Sequence, residues 1–253
     1  MSGKAKRGLY DPLRHGSGRA GGEPYKLSRS KIELFLQSPR MFYLDRRLGI
    51  KVPSGPAFTL NSAVDELLKR EFDILRKKGH AHDIMKQYKI DAVPFAHPEL
   101  DVWRQNFTGK QYLHEQTNLL IFGAVDDLWV NPKGEIIIVD YKSTSTSKEI
   151  SLDDQWKQVF KRQMDIYAWI FQKSGFKLND TGYFVYANAE KDRPRFDARL
   201  EFALTLHPYK HDSSWVESVI FDIKTALDGN KIPPSDESEY SQFLDEAVRV
   251  LGE

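Results

Sequence analysis

The segment Leu119-Leu-Ile-Phe-Gly-Ala-Val-Asp-Asp-Leu-Trp-Val-Asn-Pro-Lys-Gly-Glu-Ile-Ile-Ile-Val-Asp-Tyr-Lys142 constrains this chain most. Two apolar, β-rich runs flank a Pro132-Lys133-Gly134 turn, which predicts an antiparallel hairpin. With the turn centred on Lys133, Asn131 falls opposite Glu135, and counting outward brings Asp126 opposite Asp140. Their Cβ atoms are then expected roughly 5 Å apart. Alternation puts Ala124, Asp126, Leu128 and Val130 on one face with Ile136, Ile138, Asp140 and Lys142. The other face carries Gly123, Val125, Asp127 and Trp129 with Ile137, Val139 and Tyr141. Both faces are apolar enough to be covered, as in the central sheet of an α/β sandwich.

Two carboxylates at one end of a buried sheet repel each other, and each raises the other's pKa, unless a positive charge lies between them. A divalent cation resolves the conflict. Mg²⁺ and Mn²⁺ prefer hard oxygen ligands, lower the pKa of bound water and neutralise a phosphate. Lys142, on the same face as Asp140, can orient such a water or offset phosphate charge. The other reading of these residues is a surface Asp–Lys cross-strand pair of small energetic value.

Helical spacing of Trp156, Val159, Phe160, Tyr167, Ile170 and Phe171 predicts a helix between Asp153 and Lys173, with Gln163 and Tyr167 on its apolar stripe. A glutamine there needs hydrogen-bond partners. A second helix, about Leu60 to Lys77, gathers Leu60, Ala63, Val64, Leu67, Leu68, Phe72 and Leu75 on one face, with Asp65 at its edge. Ser30-Lys-Ile-Glu33 reads as a capping box opening an N-terminal helix. Strands are expected over 181–187 and 198–206, then a helix from Asp212 or Ser213 to about Leu227, stopped by Gly229. A short helix follows the acidic stretch Ser235 to Glu246.

These pieces resemble the RecB-type branch of the PD-(D/E)XK nuclease superfamily. Gly123-Ala-Val-Asp126 is similar to its Gly-x-hydrophobic-Asp motif, Asp140-Tyr-Lys142 to its Asp-x-Lys motif, and Gln163-Met-Asp-Ile-Tyr167 to its Gln-x-x-x-Tyr helix motif. The resemblance implies a restriction-endonuclease-like three-layer α/β/α sandwich with a central mixed sheet. It implies a Mg²⁺- or Mn²⁺-dependent deoxyribonuclease acting on single- or double-stranded DNA in repair, recombination or processing. Asp126 and Asp140 would hold the metal, with the Tyr141 carbonyl as a further ligand. Lys142 would serve the attacking water, and Gln163 and Tyr167 would organise the site. Many relatives carry a metal-binding His where this chain has Asp65, so Asp65 takes that place.

Ser38-Pro39-Arg40-Met-Phe-Tyr43 resembles the family's Cys-Pro-x-x-Phe/Tyr motif with serine for cysteine. Asp228 to Pro234 resembles the stretch where several relatives place a cysteine cluster. The chain has no cysteine, which excludes that iron–sulphur cluster along with disulfides and zinc–thiolate sites. The lost His and missing cysteines keep open a non-catalytic nucleic-acid-binding or scaffolding module that retains the fold.

At 253 residues and 40% hydrophobic, the chain suits one substantial domain, expected over 27–253 behind a flexible basic tail over 1–26. That tail holds Lys4, Lys6, Arg7, Arg14, Arg19 and Lys26 against Asp11 and Glu23. Net charge is only +1, so binding to a polyanion must come from local patches. Arg40, Tyr43, Arg46 and Arg47 form one such patch that could grip phosphates or stack on bases. No run has the length of a membrane-spanning helix and the start lacks a signal peptide's apolar core, so a cytoplasmic location is expected. No Gly-x-x-x-x-Gly-Lys loop occurs, so any motor would be a separate helicase or repair partner. The histidines, including His80 and His82, read as surface or turn residues.

Overall fold

The computed structural model describes residues 8–16, 22–52, 55 and 58–251. In chain order its elements are α1 (Pro12–His15), β1 (Tyr25–Ser28), α2 (Arg29–Gln37), α3 (Pro39–Tyr43), α4 (Thr59–Lys78), α5 (Asp83–Gln87), β2 (Val93–Pro94), α6 (Leu100–Trp103) and β3 (Lys110–His114). Then follow β4 (Leu119–Gly123), β5 (Asp127–Val130), β6 (Ile136–Thr144), α7 (Gln158–Lys173), β7 (Thr181–Ala189), β8 (Phe202–Lys210), α8 (Val216–Asp228) and α9 (Glu239–Leu251). The residues pack as two compact units, one made of 1–55, 111–122 and 214–253, the other of 56–110 and 123–213. The sequence suggested one domain from residue 27. The long apolar run from Leu119 is in fact shared: β4 joins a three-stranded sheet of order β1-β4-β3, while β5 joins a five-stranded sheet of order β2-β5-β6-β7-β8.

The second unit is the three-layer α/β/α sandwich. Its sheet is mixed, with β6 and β7 parallel and the other neighbours antiparallel. Asp127 pairs with Val139 and Val130 with Ile136, the register that the turn dictates. Asn131 donates its N–H to the Glu135 carbonyl at 3.1 Å, and Gly134 closes the turn at φ +72°, where a side chain would strain the backbone. One sheet face packs Trp129, Ile137, Val139 and Tyr141 against Leu68 and Phe72 of α4. The other packs Leu128, Ile136, Ile138 and Phe184 against Met164, Tyr167, Ala168 and Phe171 of α7. Glycine at position 182 permits the close approach of α7, because a Cβ there would lie 2.3 Å from the Met164 sulfur.

Three local expectations need correction. Helix α2 starts at Arg29 with Ser28 at its N-cap, so Ser30 and Glu33 do not form a capping box; Glu33 instead accepts from the Gln37 amide at 2.9 Å. His82 is buried, stacked on Phe72 with centroids 4.5 Å apart, and its Nδ1 caps α5 by accepting from the Ile84 N–H. The strand expected from 198 begins at Phe202.

The first unit gives structure to part of the expected tail. Tyr10 is buried against Tyr25 and its hydroxyl bonds to Asp228 at 2.5 Å, while Arg14 pairs with Glu23. Lys4, Lys6, Arg7 and Arg19 lie outside the described residues. Ser38 caps α3 by accepting from the Met41 N–H, with Pro39 at the first helical position. Asp45 is buried; desolvation alone would raise its pKa, but hydrogen bonds from Lys31 and Arg46 outweigh that and hold it below the ordinary value. The unfolded chain therefore binds the proton more tightly. Asp45 contributes stability that is complete above the ordinary carboxylate pKa of about 4 and fades as pH falls through its lower folded value. Melting from pH 6 down to pH 2 is expected to show Asp45→Asn losing stability mainly at the upper end, its curve converging on the parent's in acid.

Candidate active site

The five-stranded sheet, α4 and α7 bring the acidic and basic candidates together within the second unit. The chain leaves the ladder between Gly123 and Asp127, so Asp126 sits at a bend just before β5. Two donors fix it there. Its Oδ2 accepts from the Tyr141 N–H at 2.9 Å, and its carbonyl accepts from Arg104 Nε at 2.9 Å. Asp140, mid-strand in β6, is 1% exposed. Its Oδ1 accepts from Gln163 Nε2 at 2.7 Å and its Oδ2 forms an ion pair with the Lys142 ammonium.

Gln163 and Tyr167 stand one turn apart on α7, so both side chains reach the same place. Gln163 Nε2 also donates to the Tyr167 hydroxyl at 3.2 Å, which in turn donates to the Ala124 carbonyl at 2.6 Å. That chain of bonds ties α7 to Asp140 and to the bend that carries Asp126. Buried polar groups demand such partners, and these meet the glutamine's requirement.

Asp65 lies on α4, and Lys69 four residues on joins it to the sheet. The Lys69 ammonium is 2.7 Å from Asp65 Oδ2 and 3.2 Å from Asp126 Oδ1. Burial raises the pKa of Asp65, and the charge of Asp126 raises it further, more than Lys69 and Lys142 lower it. Burial would lower Lys69, but Asp126 and Asp65 raise it above its ordinary value, so it stays an ammonium. The i,i+4 spacing of Asp65 and Lys69 was visible in the sequence; the reach of Lys69 to Asp126 depends on α4 crossing the sheet.

A buried network behind the acids was not anticipated. Asp127 is 0% exposed; its Oδ1 accepts from Arg76 at 2.6 Å, Arg104 at 2.8 Å and the Leu128 N–H at 2.8 Å. Its Oδ2 accepts from the Tyr141 hydroxyl at 2.7 Å, whose pKa is pushed up by burial and by Asp127's charge. Arg104 also clamps Asp73 through both carboxylate oxygens at 2.8 and 2.9 Å. Arg104 thus orients Asp126 through its backbone. A carboxylate on an otherwise apolar sheet face was the available signal, since it cannot be buried without cations.

The basic patch lies in the first unit, where each member is engaged internally. Arg40 bonds to Asp245 and Ser241, the Tyr43 hydroxyl donates to the Gly229 carbonyl, Arg46 pairs with Asp45, and Arg47 donates to the Tyr10 carbonyl. Their positive charge is answered by the acidic C-terminal stretch and by Asp45, which sequence proximity alone did not reveal.

Among the described residues no three His, Cys, Asp or Glu side chains gather closely enough to hold a metal ion. The donor chemistry nonetheless fits a hard divalent ion, since Asp65 and Asp126 are two carboxylates that share one ammonium.

The α/β/α sandwich thus carries Asp126 at the bend before β5, Asp140-Tyr141-Lys142 on β6 and a glutamine of α7 bonded to the second Asp. The chain belongs to the PD-(D/E)XK nuclease superfamily, whose model matches residues 59–242. Members of this superfamily are generally nucleases and generally use divalent metals such as Mg²⁺. A solved structure described as the crystal structure of SSO0001 is 18% identical, with 92% of this chain and 89% of that chain covered at a TM-score of 0.35. No curated protein matches. No helix among the described residues is long and apolar enough to cross a membrane.

Proposed function

We propose that this protein is a Mg²⁺- or Mn²⁺-dependent deoxyribonuclease, and the observation that carries the reading is the buried Asp140 held between the Lys142 ammonium and the Gln163 amide. Asp126 and Asp140 would hold the cation, assisted by Asp65 and the Tyr141 carbonyl. When bound, the cation supplies a polarised phosphate and a water of lowered pKa. Lys142, only 17% exposed, orients the attacking water and offsets charge on the phosphate. Gln163 and Tyr167 keep Asp140 and the 124–126 bend in register with each other. Arg104 holds the Asp126 backbone so that its carboxylate needs no reorganisation. Repair, recombination or processing of DNA, alongside a separate helicase or repair protein, is the setting that the motif resemblance supports.

Cation binding by Asp65 and Asp126 competes with Lys69, which makes the site measurable without any substrate. Titrating Mg²⁺ or Mn²⁺ is expected to raise the parent's melting temperature, by the equivalent of about 2.7 kcal/mol at a hundred times Kd. Asp126→Asn is expected to remove that rise while still folding. Equal stabilisation of parent and variant would reject the ligand assignment.

A further inference from the structure

The indole of Trp156 is 63% exposed, although its spacing in the sequence puts it on the same stripe as Gln163. The cause is local. Residues Gln155–Lys157 form a 3-10 turn ahead of α7, and its tighter winding takes Trp156 out of phase with the buried face. Leaving so large an apolar ring in water forgoes burial of roughly 150–250 Å².

Its neighbours connect it to the acid–lysine site. The Trp156 and Phe160 rings meet with centroids 5.7 Å apart and planes at 82°. The Lys142 ammonium lies 4.5 Å from the Phe160 centroid, and Lys142 is paired with Asp140. On its other neighbour, the Lys157 ammonium lies 4.9 Å from the indole centroid. Lys157 is itself buried, fixed by the Ser151 carbonyl at 2.5 Å and by Asp154 at 2.8 Å. Lys161, one turn along, faces the exposed Asp153 at 3.3 Å. An open aromatic surface thus rests against the anchored Lys157 and is linked through Phe160 to Lys142, which belongs to the proposed catalytic set.

We propose that Trp156, backed by Phe160 and flanked by Lys157, is a stacking platform for an unpaired base of a single-stranded nucleic acid whose backbone passes Lys142. The proposal rests on the nuclease reading above and names its substrate class. An indole face accepts any base by π-contact, whereas bases inside a duplex have both faces already covered. The Lys142 ammonium beyond Phe160 suits a phosphate that flanks such a base, while the buried Lys157, paired with Asp154, supports the indole by cation–π contact. The site therefore discriminates by strandedness and not by base identity.

Binding of a labelled single-stranded oligodeoxynucleotide, the same strand with abasic positions, and the matching duplex is to be measured in chelator for the parent, Trp156→Ala and Trp156→Phe. Loss of one stacked base weakens single-strand binding about 5- to 150-fold in the alanine variant, while phenylalanine retains most of the affinity. The abasic strand is expected to bind parent and alanine variant equally. Because Trp156 is exposed, both variants should melt with the parent. Three results overturn the platform: unchanged single-strand affinity in Trp156→Ala, equal weakening for abasic strand and duplex, or self-association of the parent that Trp156→Ala abolishes. If the parent cuts single strands with Mg²⁺ or Mn²⁺ and Trp156→Ala binds as the parent does, the platform alone is wrong. A parent that neither binds nor cuts any of the three substrates defeats the nuclease reading together with the platform.

Discussion

Lys142→Ala is expected to slow phosphodiester cleavage by about 10²–10⁴-fold, the usual range for a positioned group that manages a proton, and also to lower the melting temperature, because it leaves the buried Asp140 carboxylate without its ammonium. The ammonium is paired with the buried Asp140 and seated over the Phe160 ring, so its position is set before substrate arrives. Removing it leaves the Asp140 Oδ1 bond from Gln163 intact, which keeps the strand and helix together. Single-turnover cleavage rates, taken where the variant is shown to be folded, read the loss of the lysine separately from that destabilisation. Lys142→Arg restores the charge but spreads it over a planar fork that does not match a point donor, so only partial recovery is expected. Parent-like cleavage by Lys142→Ala removes the lysine from the mechanism.

Asp127→Ala is expected to cost about 3–5 kcal/mol of stability, because it removes the buried carboxylate shared by two guanidinium groups and leaves Asp73 alone to answer both. Arg76 and Arg104 are each 9% exposed in their side chains, and Asp127 is fully buried, so solvent cannot replace the lost partner. Tyr141 loses its hydroxyl acceptor at the same time. Denaturant melts read this loss as a lower midpoint at an unchanged slope. Asp127→Asn keeps one acceptor and should fall between the two. A midpoint within about 0.5 kcal/mol of the parent, the size of an ordinary surface substitution, would show the network to be dispensable.

The hairpin was legible because its determinants are local. The Pro132-Lys133-Gly134 turn and the alternation of β6 set the register from Val130–Ile136 to Asp127–Val139, beyond which Asp126 leaves the ladder and accepts from the Tyr141 N–H, and the same alternation assigned Trp129 and Ile138 to opposite covered faces. Helices α4 and α7 followed from their apolar spacing to within a few residues. What was not legible depends on distant partners. Leu119 to Val125 holds no polar side chain, so nothing local marks the point after Gly123 where the chain changes sheets. Arg40 finds Asp245 more than two hundred positions away, which turns an apparent phosphate grip into an internal clamp. Asp127 looked like the odd carboxylate on an apolar face until Arg76 and Arg104 arrived from α4 and the end of α6. Trp156 was misplaced for a geometric reason, since one turn of tighter helix changes the phase that the periodicity assumes.

Asp140 and its neighbours are proposed to form a metal-dependent hydrolytic site. The most direct test is cleavage of labelled linear single-stranded, linear double-stranded and circular DNA with Mg²⁺, with Mn²⁺ and with chelator, comparing the parent with Asp140→Ala. Cutting is expected to require the metal and to be lost in Asp140→Ala, with the circular substrate separating internal cleavage from digestion at an end. Nucleic-acid binding without cutting under every metal condition would contradict it and favour a scaffolding module on the same fold.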